Sequence, residues 1–397
     1  MRTRTGRHFL QIPGPTPVPD EIVRAMTAPI IDHRGPAFRE FTLDLLPRLG
    51  PVFGTTGPVV VYPSSGTGAW EAALANTLRP GDRVLGYETG HFATLWCDLA
   101  RKLGLVPELL PGDWRHGADP TAIGERLAAD RTGEIKAVMV VHNETSTGIT
   151  SRIEAVRDAI TQAGHDALLL VDTVSSLGAI PVRHDDWGAD VTVSASQKGL
   201  MLPPGLGFNA VSEKALAAAE RAAGRPAASG HPAAPGYWAW APILRANADG
   251  FFPYTPATGL LYGLRAALGL LDGEGMENVY ARHARHARAT RAAVAGWGLK
   301  VLAVDDREYS AALTAVLVPH GFDADKIRGL ILDRFDMSLG TGLGRLVGRV
   351  FRIGHLGSTN DLTIAAALAG VQMGLRLAGV PAAGAGLEAA LDVLAAD

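Results

Sequence analysis

Lys198 and Asp172 stand 26 positions apart, each at or just past the end of a short β-type run, Val191 to Ala195 and Leu168 to Asp172. A lysine kept in a desolvated pocket can lose its proton and act as a nucleophile that forms a Schiff base. A carboxylate in a partly apolar strand-end site needs a positive partner, and a protonated pyridine nitrogen is one. A helix N-cap or a metal ligand is the plainer reading of a lone aspartate there. The chain has only six lysines. Lys102, Lys214 and Lys326 fall on helical patterns, and Lys136 and Lys300 read as solubilising charges at strand edges. Lysines are ordinarily solvated; the neighbouring strand-end acid sets Lys198 apart.

Two further features carry chemistry, and two that could suggest it do not. Ser64-Ser65-Gly66-Thr67-Gly68 follows one apolar run and precedes the helical pattern Ala69 to Leu78. A glycine-rich turn into a helix start offers free N–H groups to an anion such as phosphate, although tight packing alone also uses such turns. It matches neither of the glycine-rich nucleotide signatures. Arg352, in Val350-Phe-Arg-Ile-Gly-His355, has the planar fork that grips a carboxylate, or makes a structural salt bridge. His283 and His286 lie three apart on a helical pattern; with arginines around them they read as a solvated basic face rather than a metal site. Cys97, beside Leu95, Trp96 and Leu99, reads as core packing.

The elements that position these residues alternate. Strand candidates Val59 to Tyr62, Arg83 to Tyr87, Val138 to His142, Leu168 to Asp172, Val191 to Ala195 and Gly207 to Val211 are separated mostly by helical patterns. That order predicts an α/β chain with a mainly parallel sheet covered on both faces, and ligands at the carboxyl ends of its strands. Residues 1–17, punctuated by Pro13, Gly14, Pro15 and Pro17, are expected to form an extended arm; 18–274 form a large domain and 275–397 a smaller α/β domain. In the latter, strands such as Ala312 to Val318 and Val350 to His355 follow a long helix from about Met276 to Trp297. Pro226 to Gly236 reads as a surface insertion or flap. An Ala-rich last helix is expected after Pro381.

Composition narrows the classes. Hydrophobic residues at 47% and charged residues at 19% suit a chain that buries a large interior, and 37 basic against 40 acidic side chains give no footprint for nucleic acid or anionic membrane. One cysteine excludes an internal disulfide and a thiolate cage, which fits a reducing cytoplasm. No apolar run approaches the length of a membrane span, and the prolines after Arg2, Arg4 and Arg7 interrupt any export signal. A small molecule is the expected partner, with no metal.

Ser65-Gly66-Thr67, His142-Asn-Glu-Thr-Ser-Thr-Gly148, Val171-Asp-Thr-Val-Ser-Ser-Leu-Gly178, Ser194-Ala-Ser-Gln-Lys198 and Val350-Phe-Arg-Ile-Gly-His355 occur in order. Together they closely resemble the serine-glyoxylate and alanine-glyoxylate branch of the class V, fold-type I pyridoxal-phosphate aminotransferases, across essentially the whole chain. The resemblance implies a large domain with a seven-stranded, mainly parallel sheet, and pyridoxal 5′-phosphate joined to Lys198 with Asp172 on its pyridine nitrogen. It implies Ser65, Gly66, Thr67 and Gln197 at the phosphate, with Thr255 of Phe252-Pro-Tyr-Thr255 reaching in from the second subunit of a homodimer. Thr145 would bond the ring hydroxyl, Val174 would pack on one ring face and Phe92 on the other, where relatives often carry Trp. Arg352 would take the substrate carboxylate, with Gly14 and Tyr254 also near substrate. L-serine or L-alanine as donor and glyoxylate as acceptor follow from the same resemblance, with 2-keto acids as products. Pyridoxamine-pyruvate or aspartate-glyoxylate transfer, or a non-catalytic regulatory protein that binds the cofactor, are the alternatives. The related cysteine desulfurases need a loop cysteine that this chain lacks.

Overall fold

A computed structural model describes residues 6–224, 236–381 and 384–396. Its strands, in chain order, are β1 (Phe9–Gln11), β2 (Val59–Ser64), β3 (Arg83–Tyr87), β4 (Val106–Leu110), β5 (Ile135–Val141), β6 (Asn143–Glu144) and β7 (Ile149–Thr150). They continue with β8 (Leu168–Asp172), β9 (Val191–Ala195), β10 (Gly205–Val211), β11 (Lys300–Val301), β12 (Leu313–Leu317), β13 (Met337–Thr341) and β14 (Val350–Gly354).

Seven of them form one sheet in the order β2-β10-β9-β8-β5-β3-β4. Only β10 runs against its neighbours, β2 and β9; the other pairings are parallel. Every residue of β8 and β9 is buried, as continuous apolar runs in a sheet covered on both faces should be. Side-chain alternation divides the interior into two cores: Val138, Val140, Leu169 and Val171 face one, and Ala137, Met139, Val141, Leu168 and Leu170 face the other. The register pairs Val141 with Asp172 and Asp172 with Val193. Three parallel strands thus end side by side, and the loops carrying Thr145, Val174 and Lys198 leave the sheet at one edge.

β4 escapes a reading of the sequence because Pro107 and Glu108 interrupt its apolar pattern; both residues are tolerated on an edge strand. A second, five-stranded sheet in the order β1-β13-β14-β12-β11 packs under the helices Met276–Gly296, Ala324–Phe335, Asp361–Leu377 and Gly386–Ala395. The expected last helix is the fourth of these. The arm is more structured than an extended tail: Phe9, Leu10 and Gln11 pair in parallel with Met337, Ser338 and Leu339. The expected flap, 226–236, lies outside the described residues except for Gly236.

Two side-chain expectations are corrected. His283 and His286 do not line a solvated face; they are 1% and 0% exposed, because residues 355–361 cover that side of their helix. His283 Nδ1 donates to the Val279 carbonyl at 2.7 Å, Nε2 accepts from the Gly357 N–H at 3.1 Å, and burial pushes its pKa down to about 3. Lys136 sits at the exposed start of β5, an interior strand rather than an edge, whereas Lys300 is on the edge strand β11. Cys97 is buried against Gly86, where an added Cβ would lie 2.6 Å from its Sγ, and burial pushes its thiol up to about 12. No helix of the described residues is long and apolar enough to cross a membrane.

Candidate active site

Lys198 occupies the loop between β9 and the antiparallel β10, and only 9% of it is exposed. Its Nζ donates to the Pro13 carbonyl at 2.5 Å, and the loop is pinned to the arm by Thr16 N–H on the Gln197 carbonyl and Thr16 Oγ1 on the Lys198 carbonyl. Burial, reinforced by the Arg352 charge and opposed by Asp172, brings the amine down to about 8. A useful share of it is therefore unprotonated near neutral pH. Gly14 has φ +88°, and a Cβ there would strike the Lys198 side chain, so only glycine lets the arm pass this close.

Asp172 ends β8 at 4% exposure. Its Oδ1 accepts the Val174 N–H at 2.6 Å and its Oδ2 accepts the Trp70 indole N–H at 3.1 Å. Burial pushes its pKa up to about 7; the Val174 N–H lowers it, the Glu144 charge raises it, and the Trp70 N–H and the Lys198 charge lower it. A buried carboxylate poised in this way favours a cationic partner.

Both residues line one cavity of about 190 Å³. Ser65, Gly66 and Thr67 form one end of it, at the start of the helix Gly66–Thr77, whose first turn has no side-chain cap. The N–H groups of such a turn are free for an anion. Gly66 is required by close approach, since a Cβ would lie 2.8 Å from Val174 Cγ2. Gln197 also lines the cavity, and its buried Oε1 has no hydrogen-bond partner. Phe92, Thr145, Val174 and Gly14 complete the set of sequence-predicted residues gathered here.

Arg352 is joined to the cavity through Thr145, whose carbonyl accepts its Nη1 at 2.6 Å, while Nε donates to the Thr341 carbonyl at 2.7 Å. It is 7% exposed, and burial, partly offset by Glu144, brings its pKa to about 10. Two predicted residues lie elsewhere. Thr255 is exposed, and Tyr254 stacks on Tyr237 at 4.3 Å; neither lines the cavity of this subunit.

Reading the sequence missed Trp70, Asn143 and Pro15, which also line the cavity, and Glu144 behind it. Trp70 is four residues past Gly66 on one helix face, a spacing that would have found it. Glu144, fully buried, accepts the N–H groups of Phe92 at 3.3 Å and Ala93 at 3.1 Å, and Ser146 Oγ accepts that of His91 at 2.9 Å. The loop bearing Thr145 thus caps the helix His91–Lys102 and fixes Phe92. Chemically, the cavity offers an anion cradle, a buried amine and a carboxylate suited to a ring cation, with a guanidinium alongside. Among the described residues no group of three or more His, Cys, Asp or Glu is arranged to hold a metal ion.

Comparison with known proteins gives a consistent picture. Residues 52–342 match the family model described as Aminotransferase class-V. The chain is 49% identical to a serine-glyoxylate aminotransferase of Methylorubrum extorquens, over 98% of this chain and 97% of that one. It is 43% identical to an L-aspartate-glyoxylate aminotransferase of Paracoccus denitrificans, over 97% and 96% respectively. The crystal structure of ureidoglycine-glyoxylate aminotransferase from Bacillus subtilis superposes with a TM-score of 0.88 at 27% identity, covering 99% of each chain.

Proposed function

The chain belongs to the class-V aminotransferases, and from that membership we propose that it transfers the amino group of a small L-amino acid, L-serine or L-alanine, to glyoxylate, giving glycine and a 2-keto acid, with pyridoxal 5′-phosphate bound at Lys198. One observation carries the reading: the buried Lys198 amine, the strand-end Asp172 and the uncapped helix start at Gly66 line the same cavity. The fit to the cofactor is tested by two groups that need a partner. The uncapped N–H groups at the Gly66 helix start need an acceptor, and Asp172 sits in burial that no charge wholly compensates. Ser65, Gly66, Thr67 and Gln197 would hold the phosphate, Thr145 the ring hydroxyl, and Val174 and Phe92 the ring faces. Asp172 would pair with the pyridine nitrogen, and Thr255 of a second subunit would reach the phosphate.

When bound, the cofactor supplies an electron sink for the bond broken at the substrate Cα. The remaining work falls to the chain. Once the substrate's amino group takes its place, the Lys198 amine, already brought to about 8, would take the proton from Cα and, as the ammonium, give it up to the carbon to which the lysine had been joined. Backbone carbonyls of Thr341 and Thr145 accept from Nε and Nη1 of Arg352, which leaves one N–H on Nη1 and two on Nη2 for a substrate carboxylate. That grip orients Cα–H beside the amine. Asp172 as an anion keeps the ring nitrogen protonated.

Among the described residues that line the cavity, Lys198 is the only cation. A donor with a second carboxylate finds no counter-charge there, which favours serine or alanine over aspartate. The same reading takes the chain as a cytoplasmic homodimer with an arm, 1–17, a large domain, 18–274, and a small domain, 275–397. A donor and acceptor screen on purified holoprotein tests it. L-serine or L-alanine with glyoxylate should give the highest kcat/KM; preference for L-aspartate or pyridoxamine selects the alternatives, and absence of turnover with every donor ends the catalytic reading.

A further inference from the structure

Trp70 is 4% exposed, stacks on Trp96 with ring centroids 5.6 Å apart and planes at 13°, and presents its edge to Phe92 at 6.5 Å. An indole has one N–H donor and no acceptor. This one points at Asp172 Oδ2, while the Val174 N–H takes Oδ1. Two donors from different elements, one on each oxygen, fix the carboxylate plane, and each oxygen keeps a lone-pair site for a partner in the cavity. The surroundings work against the anion. Burial favours the protonated acid, and Glu144 on β6 adds like charge; Lys198, in the loop after β9, is the opposing cation. His142, just after β5, is neutral, held by burial at about 3 with its ring on Ser176 Oγ, and contributes no charge. A protonated Asp172 would lose the attraction that holds a ring nitrogen in its cationic form.

We infer that Trp70 is a positioning residue for the transamination proposed above: its indole N–H orients the Asp172 carboxylate and favours its anionic form, before any cofactor is bound. The inference rests on the pairing of Asp172 with the cofactor, so its test has one arm without cofactor and one with it.

In the first arm, indole ¹⁵N–¹H resonances of the full-length apoprotein are followed from about pH 5 to about pH 9. The Trp70 signal, identified by its loss in Trp70→Phe, should move through a step centred at about 7 that is absent in Asp172→Asn. In the second arm, holoenzyme Trp70→Phe should show kcat about tenfold lower with KM for L-serine within about twofold. The acidic limb of its kcat profile should rise by about one pH unit. Thermal unfolding checks that this variant folds; if it does not, the wild-type and Asp172→Asn titrations with selective labelling carry the test. A Trp70 resonance that ignores pH in the wild type, or a Trp70→Phe enzyme with wild-type kcat and pH profile, overturns the inference while an impaired Asp172→Asn leaves the pairing intact. Wild-type turnover by Asp172→Asn overturns the pairing itself, and with it the role in turnover.

Discussion

The cavity at Lys198 and the cluster of His283, His286 and His355 are both buried, both polar and both strongly perturbed in proton affinity, yet they are built on opposite rules. In the cluster each ring nitrogen has a partner inside the protein. His283 is held by Val279 and Gly357, His286 by Asp361 at 2.9 Å and Thr359 at 3.4 Å, and His355 by the Ala311 carbonyl at 2.9 Å and Thr314 at 3.0 Å. In the cavity, Gln197 Oε1 has none, and Asp172 has one donor on each oxygen beside open space. Burial and a displaced pKa therefore do not by themselves mark a reactive centre. Unmet hydrogen-bonding capacity beside a cavity is what the Lys198 site has and the cluster lacks.

The sharpest way to break this contrast is Lys198→Ala. It should lower kcat by at least about a thousandfold in a donor-glyoxylate assay while cofactor still co-purifies in part; ordinary turnover would show that the cavity is not the reactive centre. Next comes Arg352→Ala, expected to lower kcat/KM about a hundredfold, mainly through KM for the amino acid, in steady-state kinetics. A fall in kcat alone would move the carboxylate grip elsewhere.

The histidine cluster is expressed in stability instead. His283 stays neutral in the fold until about pH 3, and burial also lowers His286 and His355, whereas an unfolded histidine protonates near 6.5. Between about pH 6.5 and about pH 4 the unfolded chain binds more protons, so stability falls as pH falls, by up to about 1.4 kcal/mol per pH unit for each such group. His142 and His184 act in the same direction. Asp172, with a folded pKa of about 7, acts oppositely in that window but is a single group. Urea unfolding at stepped pH should thus show the midpoint dropping on acidification; a flat profile would mean that the rings are hydrated. The smallest effect is expected from Cys97→Ala. This buried thiol is not among the residues that line the Lys198 cavity, so kcat should stay within about twofold and stability should drop by about 1 kcal/mol in thermal unfolding.

Lys198, Asp172 and the turn at Gly66 were legible in the sequence because each sits at a strand end whose apolar run announces it; parallel register brings the ends of β8 and β9 together, and the antiparallel β10 sets the end of β2 beside them. β4 was not, because an edge strand admits the proline and glutamate that hide it. Nor was the burial of His283 and His286: the helix pattern alone does not say which face is covered, and the cover, Gly357 to Asp361, arrives more than 70 residues later. Glu144 read as part of a motif but not as a cap, since its partners Phe92 and Ala93 start a helix two strands away in the chain.

The stretch Phe9 to Thr16 is both a strand of the smaller sheet and a wall of the cavity, through Pro13 on Lys198 and Thr16 on the following loop. A purification tag or fluorescent label is therefore better carried at the far end of the chain. A protease nick just after Gln11 would serve as a molecular off switch, silencing the enzyme while leaving its circular dichroism nearly unchanged.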